Sequence, residues 1–410
     1  MKLKLTKNNT ITTTLLLSLL GVSIFNMLPI LFPGTASFAF VFIFCFTFLF
    51  LYKLLFSTEK FKTSLQTNFF YIALLVWTVI MCLRGFEFNY DFYRSLAISP
   101  YVFLPYLLPL TVNYFNFSDF KNILTIIHVT NGIYLIFIAL YFIQPGNDIL
   151  LALGFVEDAS KYLAFPNFLM LFSIQRLTQR QKILSLIVFC VGFLIAVYTA
   201  RRSLTWVYAC ASVLLLYLRY ISTKGSFVKK IRFFFFVGII GCGMYFGYVK
   251  YERSLFGNLI EKLDLDSRGT VLRDFERDMQ FSDLFFGRGL NGKYKLVETD
   301  PEINADYSGY RNIIESGYLN ILLKGGYIYL VLLLAIYLKA IYNGLFKSKN
   351  NFAKIFACFV LLHVLEAYPA GILTFNMRFV LVWFCIAMCW NTRFLNAKNN
   401  ELELILKKVN

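Results

Sequence analysis

Two adjacent arginines, Arg201 and Arg202, follow Tyr198-Thr199-Ala200 between two apolar runs. A guanidinium is a planar fork of N–H donors that takes phosphate oxygens two at a time. The pair reads as an anion site or, equally, as an interfacial anchor whose heads snorkel to water. A second basic group lies in residues 265–278, LDSRGTVLRDFERD. There Asp274 and Arg277 stand at ordinary i,i+3 spacing, whereas Arg268 and Arg273 are less easily paired off and are candidates for the same phosphate. Next comes Gly287-Arg288-Gly289-Leu290-Asn291-Gly292, formally G-x-G-x-x-G. No strand signal precedes it and no clear helix follows, so a tight turn is the better reading than a dinucleotide fold. Finally, Arg311-Asn312-Ile313-Ile314-Glu315-Ser316-Gly317-Tyr318-Leu319-Asn320 gathers a cation, a carboxylate, a phenol and an amide at the entry of an apolar run. Glu315 stands there either for chemistry or as a helix N-terminal acid favoured by the dipole. Arg311, Tyr318 and Asn320, with Arg288, are assigned to substrate contact.

Apart from Arg201 and Arg202, most of these residues fall in one polar island, 251–316. It holds thirteen of the chain's 23 acidic residues and nine Lys or Arg, a local balance of −4 in a protein of formal charge +17. Everything else reads as membrane. The chain is 58% hydrophobic and 19% aromatic, with a mean hydropathy of +0.63, too apolar for a soluble globule. Runs of about twenty apolar residues recur along its length, enough for a helix to cross hydrocarbon, and their lack of alternation excludes a barrel.

The expected fold is all-α: a polytopic integral membrane protein of about twelve transmembrane helices with one large extracytoplasmic loop. Spans are expected at 11–32, 36–56, 68–84, 95–115, 121–143, 162–176, 183–199, 203–220, 233–250, 317–342, 354–372 and 378–395. Pro29 and Pro33 end the first, and Pro100, Pro105 and Pro109 must bend the fourth. Residues 1–250 then hold nine spans, 251–316 the large loop, 317–395 three more spans, and 396–410 a cytoplasmic tail. Within the island, Leu255, Leu259 and Leu263, and then Val271, Phe275 and Met279, recur every four residues. That spacing suits amphipathic helices lying on the membrane surface. Residues 291–310, rich in Gly, Asn, Asp and Tyr, read as irregular loop.

Charge bias orients this map. With the N-terminus inside, cytoplasmic segments carry 23 of the 40 Lys and Arg, against six in the short outer loops. The remaining eleven lie between Lys250 and Lys324, in or bordering a loop too long to obey the rule. Both termini are expected in the cytoplasm and the island outside. A pI of about 9.4 then reflects membrane orientation rather than nucleic-acid binding. The eight cysteines sit in or beside apolar segments and read as packing residues. His128 and His363 fall inside spans without ligand spacing, so no metal and no cofactor are expected.

The order of these motifs resembles the O-antigen polymerase and ligase superfamily, which includes Wzy-type polymerases and lipopolysaccharide ligases. The likeness covers roughly 160–395: Ala164-Phe165-Pro166-Asn167, the arginine at 201 or 202, Arg268, Gly287-Arg288-Gly289, and Ser316-Gly317-Tyr318-Leu319 through Gly326. The ligase branch carries a histidine where this chain has Ile314, and the loop contains none, which favours a polymerase. The resemblance implies a bacterial inner-membrane glycosyltransferase that polymerises undecaprenyl-diphosphate-linked repeat units into O-antigen (lipopolysaccharide) or capsule. Its partners would be the lipid-linked glycan donor and acceptor and membrane lipid, with a flippase and a chain-length regulator as further partners. Arg201 or Arg202, with Arg268 and Arg273, would bind the leaving diphosphate. A carboxylate would deprotonate the acceptor hydroxyl; Glu315 is the choice, one residue beyond the ligase histidine, with Asp274, Glu276 and Asp306 as alternatives. The competing readings are a ligase of the same fold and a lipid-linked oligosaccharide flippase or other transporter, which would show inverted repeats and midplane charge.

Overall fold

The computed structural model describes residues 10–57, 64–86, 88, 103–143, 155–199, 201–220, 267–297, 309–314 and 316–408. The expected span at 233–250, the apolar stripe at Leu255, Leu259 and Leu263, and the candidate bases Glu315 and Asp306 lie outside them. Among the described residues, six helices are long and apolar enough to cross a membrane, and the chain is a mainly helical membrane protein.

Helices α1 (Thr10–Leu31) and α2 (Ala36–Phe56) form a hairpin around the turn Pro33–Thr35. Its seam is aromatic, with the Phe25 and Phe42 rings stacked at 4.6 Å. The far side of α2 leaves Phe44, Phe48 and Leu55 exposed, as a face turned to lipid requires. Helix α3 (Phe69–Arg84) starts at Asn68, whose side chain accepts from the Phe70 N–H. Helix α4 (Phe120–Ile143) follows. At the centre lies α12 (Met377–Trp390), where every residue is buried. Beyond Arg378 in its first turn it is apolar on all sides, and such a helix sits inside the bundle.

Two expected spans take other forms because of proline. The described part of the fourth is a 3-10 segment, Leu104–Tyr114, containing Pro105 and Pro109, whose rings exclude regular i→i−4 bonding. The sixth is broken at Pro166 into a π turn (Ser160–Ala164), a six-residue helix α5 (Asn167–Phe172) and a 3-10 turn (Ile174–Arg176). Next to that break, Asn167 stitches three segments together. Its Oδ1 accepts from Asn131 at 2.8 Å and from Ser185 at 2.6 Å, and its amide donates to the Ser185 carbonyl at 2.9 Å. Helices α6 (Gln179–Tyr198) and α7 (Arg202–Tyr220) match expectation closely.

The described part of the island folds as a small cap. Helix α8 (Ser267–Asp278) carries Val271 and Phe275 of the stripe, and Met279 follows directly after its last residue. That stripe was expected on the membrane surface, but Phe275 and Met279 are buried against Tyr294, Leu296, Ile314, Leu322 and Leu323. An apolar face with a protein partner has no need of lipid. The loop expected to be irregular contains strand β1 (Tyr294–Lys295), paired antiparallel with β2 (Tyr310–Arg311). Between α8 and β1, a short helix α9 (Phe281–Phe286) leads into the Gly287-Arg288-Gly289 turn.

That turn locks onto α10 (Gly317–Tyr342), which breaks at Gly326, φ 67° and ψ −174°. The break exposes carbonyls that a continuous helix would have satisfied. The Arg288 N–H donates to Leu323 O at 2.8 Å and the Gly289 N–H to Lys324 O at 3.0 Å, while the Trp77 indole donates to Gly325 O at 2.8 Å. The buried Lys324 ammonium donates in return to Gly292 O at 2.8 Å. Gly287 has φ 68° and ψ 175°, so both crossing glycines occupy a region essentially closed to other residues. A Cβ on Gly326 would meet Phe285 O at 2.2 Å, and one on Gly287 would meet Lys324 O at 2.3 Å. Beyond α10, a π turn (Asn343–Lys347) leads to α11 (Asn351–Glu366), shorter than the expected 354–372; α12 is followed by α13 (Thr392–Asn396) and α14 (Asn399–Lys408).

Gly326→Ala and Gly287→Ala should each destabilise the cap by several kcal/mol, since strain of about 1–3 kcal/mol adds to lost backbone bonds. Limited proteolysis in detergent should then cut residues 281–297 readily while α11 and α12 stay protected. Unchanged protection in both variants would sink this account of the crossing.

Candidate functional site

The polar side chains converge at the end of the bundle where α10 begins. Arg201 lies between α6 and α7: its N–H donates to Ala196 O and its carbonyl accepts from Thr205 N, both at 3.0 Å. This fixes the backbone at the helix junction and sends the side chain to Glu157, with Nη1 at 2.9 Å from Oε2. The other Glu157 oxygen accepts from Lys161 at 2.5 Å. Glu157 thus sits between two cations, its side chain 17% exposed against 33% for Arg201 and 28% for Lys161. The Arg201 Nε–H is buried and has no acceptor among the described residues.

Beside this group lies a second one. Arg378, at the start of α12, grips Glu366, at the end of α11, in a two-pronged contact: Nη1 donates to Oε1 at 2.7 Å, and Nη2 pairs with Oε2. Both side chains are almost fully buried. The guanidinium lies 4.1 Å from the Phe165 ring centroid and 4.7 Å from that of Phe379, and Nη2 is 3.4 Å from His363 Nδ1. Because an arginine only donates, His363 Nδ1 is the acceptor there and its ring proton belongs on Nε2. Lys161 lies within electrostatic reach of Glu366, and Tyr162 within reach of Asp158, Arg378 and Glu157. The segment around the Ser160–Ala164 π turn is therefore common to both groups.

Other sequence candidates hold the architecture. Tyr318 donates its hydroxyl to Val364 O at 2.6 Å and its N–H to Ala367 O at 3.3 Å, docking the start of α10 on the end of α11. Asn320 is buried and its Oδ1 accepts from Ile314 N at 3.4 Å. Arg288 spends all five N–H donors inside the cap: two on Asp283 (2.9 and 2.7 Å), two on Asp278 (its carboxylate and its carbonyl, the latter at 2.6 Å) and one on Lys293 O at 2.7 Å. Although burial alone lowers the Arg288 pKa, the hydrogen bonds and charges of Asp278 and Asp283 raise it overall. A guanidinium so occupied has no donor left for a sugar. Arg202, Arg273 and Arg311 are each engaged in contacts within the chain. Arg273 and Glu276 are exposed on α8, and Asp274 is buried. The Arg268 side chain lies outside the described residues, as does Glu315.

Arg378 and Glu366 did not stand out in the sequence, although a signal was there. Glu366 is the single carboxylate between residues 317 and 395, and an ionisable group in apolar surroundings demands a partner. Comparison with family models, with characterised proteins and with solved structures finds no match for this chain.

The Arg201 cluster joins cations and carboxylates in partly exposed pairs. Arg201 and Lys161 share one carboxylate, and an oxyanion of similar reach can compete for the same donors. Asp158 sets a pH dependence: burial raises its pKa above the usual aspartate value, Lys161 draws it back, Glu157 pushes it up and Arg201 draws it back again. A carboxyl that holds its proton more tightly when folded than unfolded loses stability as pH rises through the unfolded value toward the folded one. Asp158→Asn should therefore raise the melting temperature in detergent at neutral pH, with the gain vanishing below about pH 4. A variant that melts lower than the parent at neutral pH would mean that the cluster needs the charge.

Proposed function

We propose that the protein is a bacterial inner-membrane glycosyltransferase that polymerises undecaprenyl-diphosphate-linked oligosaccharide repeats into O-antigen or capsular polysaccharide. On this reading about twelve spans cross the membrane, with both termini cytoplasmic and the cap and the Arg201 cluster on the opposite side. The observation that carries the proposal is the half-buried Arg201 fork, facing a single carboxylate that it shares with Lys161. This is a donor set that a diphosphate can take over. The motif order described above, and the charge bias of 23 against six, support the same assignment.

In the proposed reaction the acceptor hydroxyl attacks the anomeric carbon of the donor glycan. The new C–O bond forms as the bond to the diphosphate oxygen breaks, and undecaprenyl diphosphate leaves with the electron pair. Arg201, with Arg202, Arg268 and Lys161 as further cations, stabilises the charge that develops on that oxygen. Glu315 takes the acceptor proton. Arg378 and Glu366, paired and buried, hold α11 and α12 in place behind these groups rather than touching substrate.

Purified lipid-linked repeats, elongated in detergent and resolved by size, test the assignment. Losing one charge-assisted contact of about 1.5–3 kcal/mol predicts a roughly 10- to 100-fold slower Arg201→Ala. Arg201→Lys should also be impaired, because an ammonium cannot reproduce the fork. Glu315→Gln should retain the fold and lose elongation across pH. If Arg201→Ala and Glu315→Gln both elongate at the parent rate, the reading fails.

A further inference from the structure

A cavity of about 630 Å³ opens at the other end of α10, where the Asn343–Lys347 π turn meets the end of α12 and the start of α3. Lys339, Asn343 and Lys347 line it from one side; Asn68, Trp390 and Thr392 line it from others. Lys339 Nζ lies 4.6 Å from the Trp390 ring centroid, and Lys347 Nζ lies 5.2 Å from the Tyr342 ring. Aromatic faces thus steady both ammonium groups. No carboxylate lines the cavity, and neither lysine has an acidic partner among the described residues. Asn343 is nine-tenths buried, yet its side chain makes no hydrogen bond to a described residue. Neither of its amide atoms is sealed from solvent, so its polar end reaches the open space of the cavity and is available to a ligand.

The polar side chains lining it are two ammoniums, three amides and two hydroxyls, a set that suits an anion with several oxygens. Size and setting narrow the choice. The volume exceeds what inorganic phosphate needs, and a tryptophan beside lysines at a helix end is typical of the headgroup level of a bilayer. We infer that this cavity binds the phosphodiester headgroup of an anionic phospholipid, with Lys339 and Lys347 on the phosphate oxygens and Asn343 and Thr392 on the glycerol side. The site is remote from the Arg201 cluster and stands independently of the function proposed above.

Thermal unfolding of the purified protein in a neutral detergent, titrated with phosphatidylglycerol, phosphatidylcholine or inorganic phosphate, tests this. Phosphatidylglycerol should raise the melting temperature saturably, and phosphatidylcholine at the same concentration should not. Lys339→Gln/Lys347→Gln should weaken the apparent affinity roughly 30-fold, at about 1 kcal/mol per lysine. Lys182→Gln/Lys349→Gln, which removes the same charge outside the cavity, should leave it unchanged. Monodisperse elution and parental helicity of both double variants keep the comparison valid; if the first pair fails to fold, Lys347→Gln alone carries the same test with a smaller shift. Equal shifts from the two lipids, an undiminished response in the cavity variant, or a response to inorganic phosphate without one to phosphatidylglycerol would each overturn the proposal.

Discussion

The cap depends on two backbones crossing with no side chain between them. A break in a bundle helix leaves carbonyls facing an environment with no water to satisfy them, and an unmade bond there costs more than a made one returns. Here the break at Gly326 and the turn at Gly287 cancel each other's deficits. The turn lends its N–H groups to Leu323 O and Lys324 O, and the glycines supply the absence of Cβ that lets the chains approach. Once this contact exists, the first turns of α10 are free to point into the cap. Leu322 and Leu323 complete its apolar core, and Arg288 ties its loop to Asp278 and Asp283.

The same economy explains the charges at the start of α10. Burying an ion pair barely stabilises a protein, but removing one partner typically costs about 3–5 kcal/mol. Arg378 and Glu366 are therefore a constraint on where α11 and α12 meet more than a source of stability. Their two-pronged contact allows one relative placement of the helices, and the Phe165 ring above the guanidinium binds the π-turn segment to the same point. The neighbouring Arg201, Glu157 and Lys161 are partly open to solvent and so remain exchangeable. Rigid buried ions thus stand behind partly exposed ones, and the inner pair fixes the wall on which the outer group sits.

Much of this was legible in the chain itself. Apolar runs located α1, α2, α4, α6 and α7 to within a few residues, because a helix that must cross hydrocarbon declares itself by length and composition. Prolines announced irregularity at 104–114. The tight-turn reading of Gly287-Arg288-Gly289 also anticipated the local conformation, although not its partner. Less was legible in the polar residues. Arg288 looked like a ligand group, and Tyr318 and Asn320 looked like a substrate mouth; each spends its donors or acceptor on the chain instead.

Residue types by themselves determined that this is a helical membrane protein, where most helices run, and that arginines near 201 stand at a helix junction. Only the tertiary structure decided which charges meet. Glu157 and Arg201 are 44 residues apart, a separation with no local geometry to predict it, and they pair because α6, which ends just before Arg201, packs against the π-turn segment. Glu366 and Arg378 pair across a helix reversal. The stripe on α8 likewise turned from lipid to Leu322 and Leu323 because α10 breaks underneath it. Periodicity reports that a helix has an apolar face, whereas the identity of what covers that face is a long-range contact, settled when the chain folds.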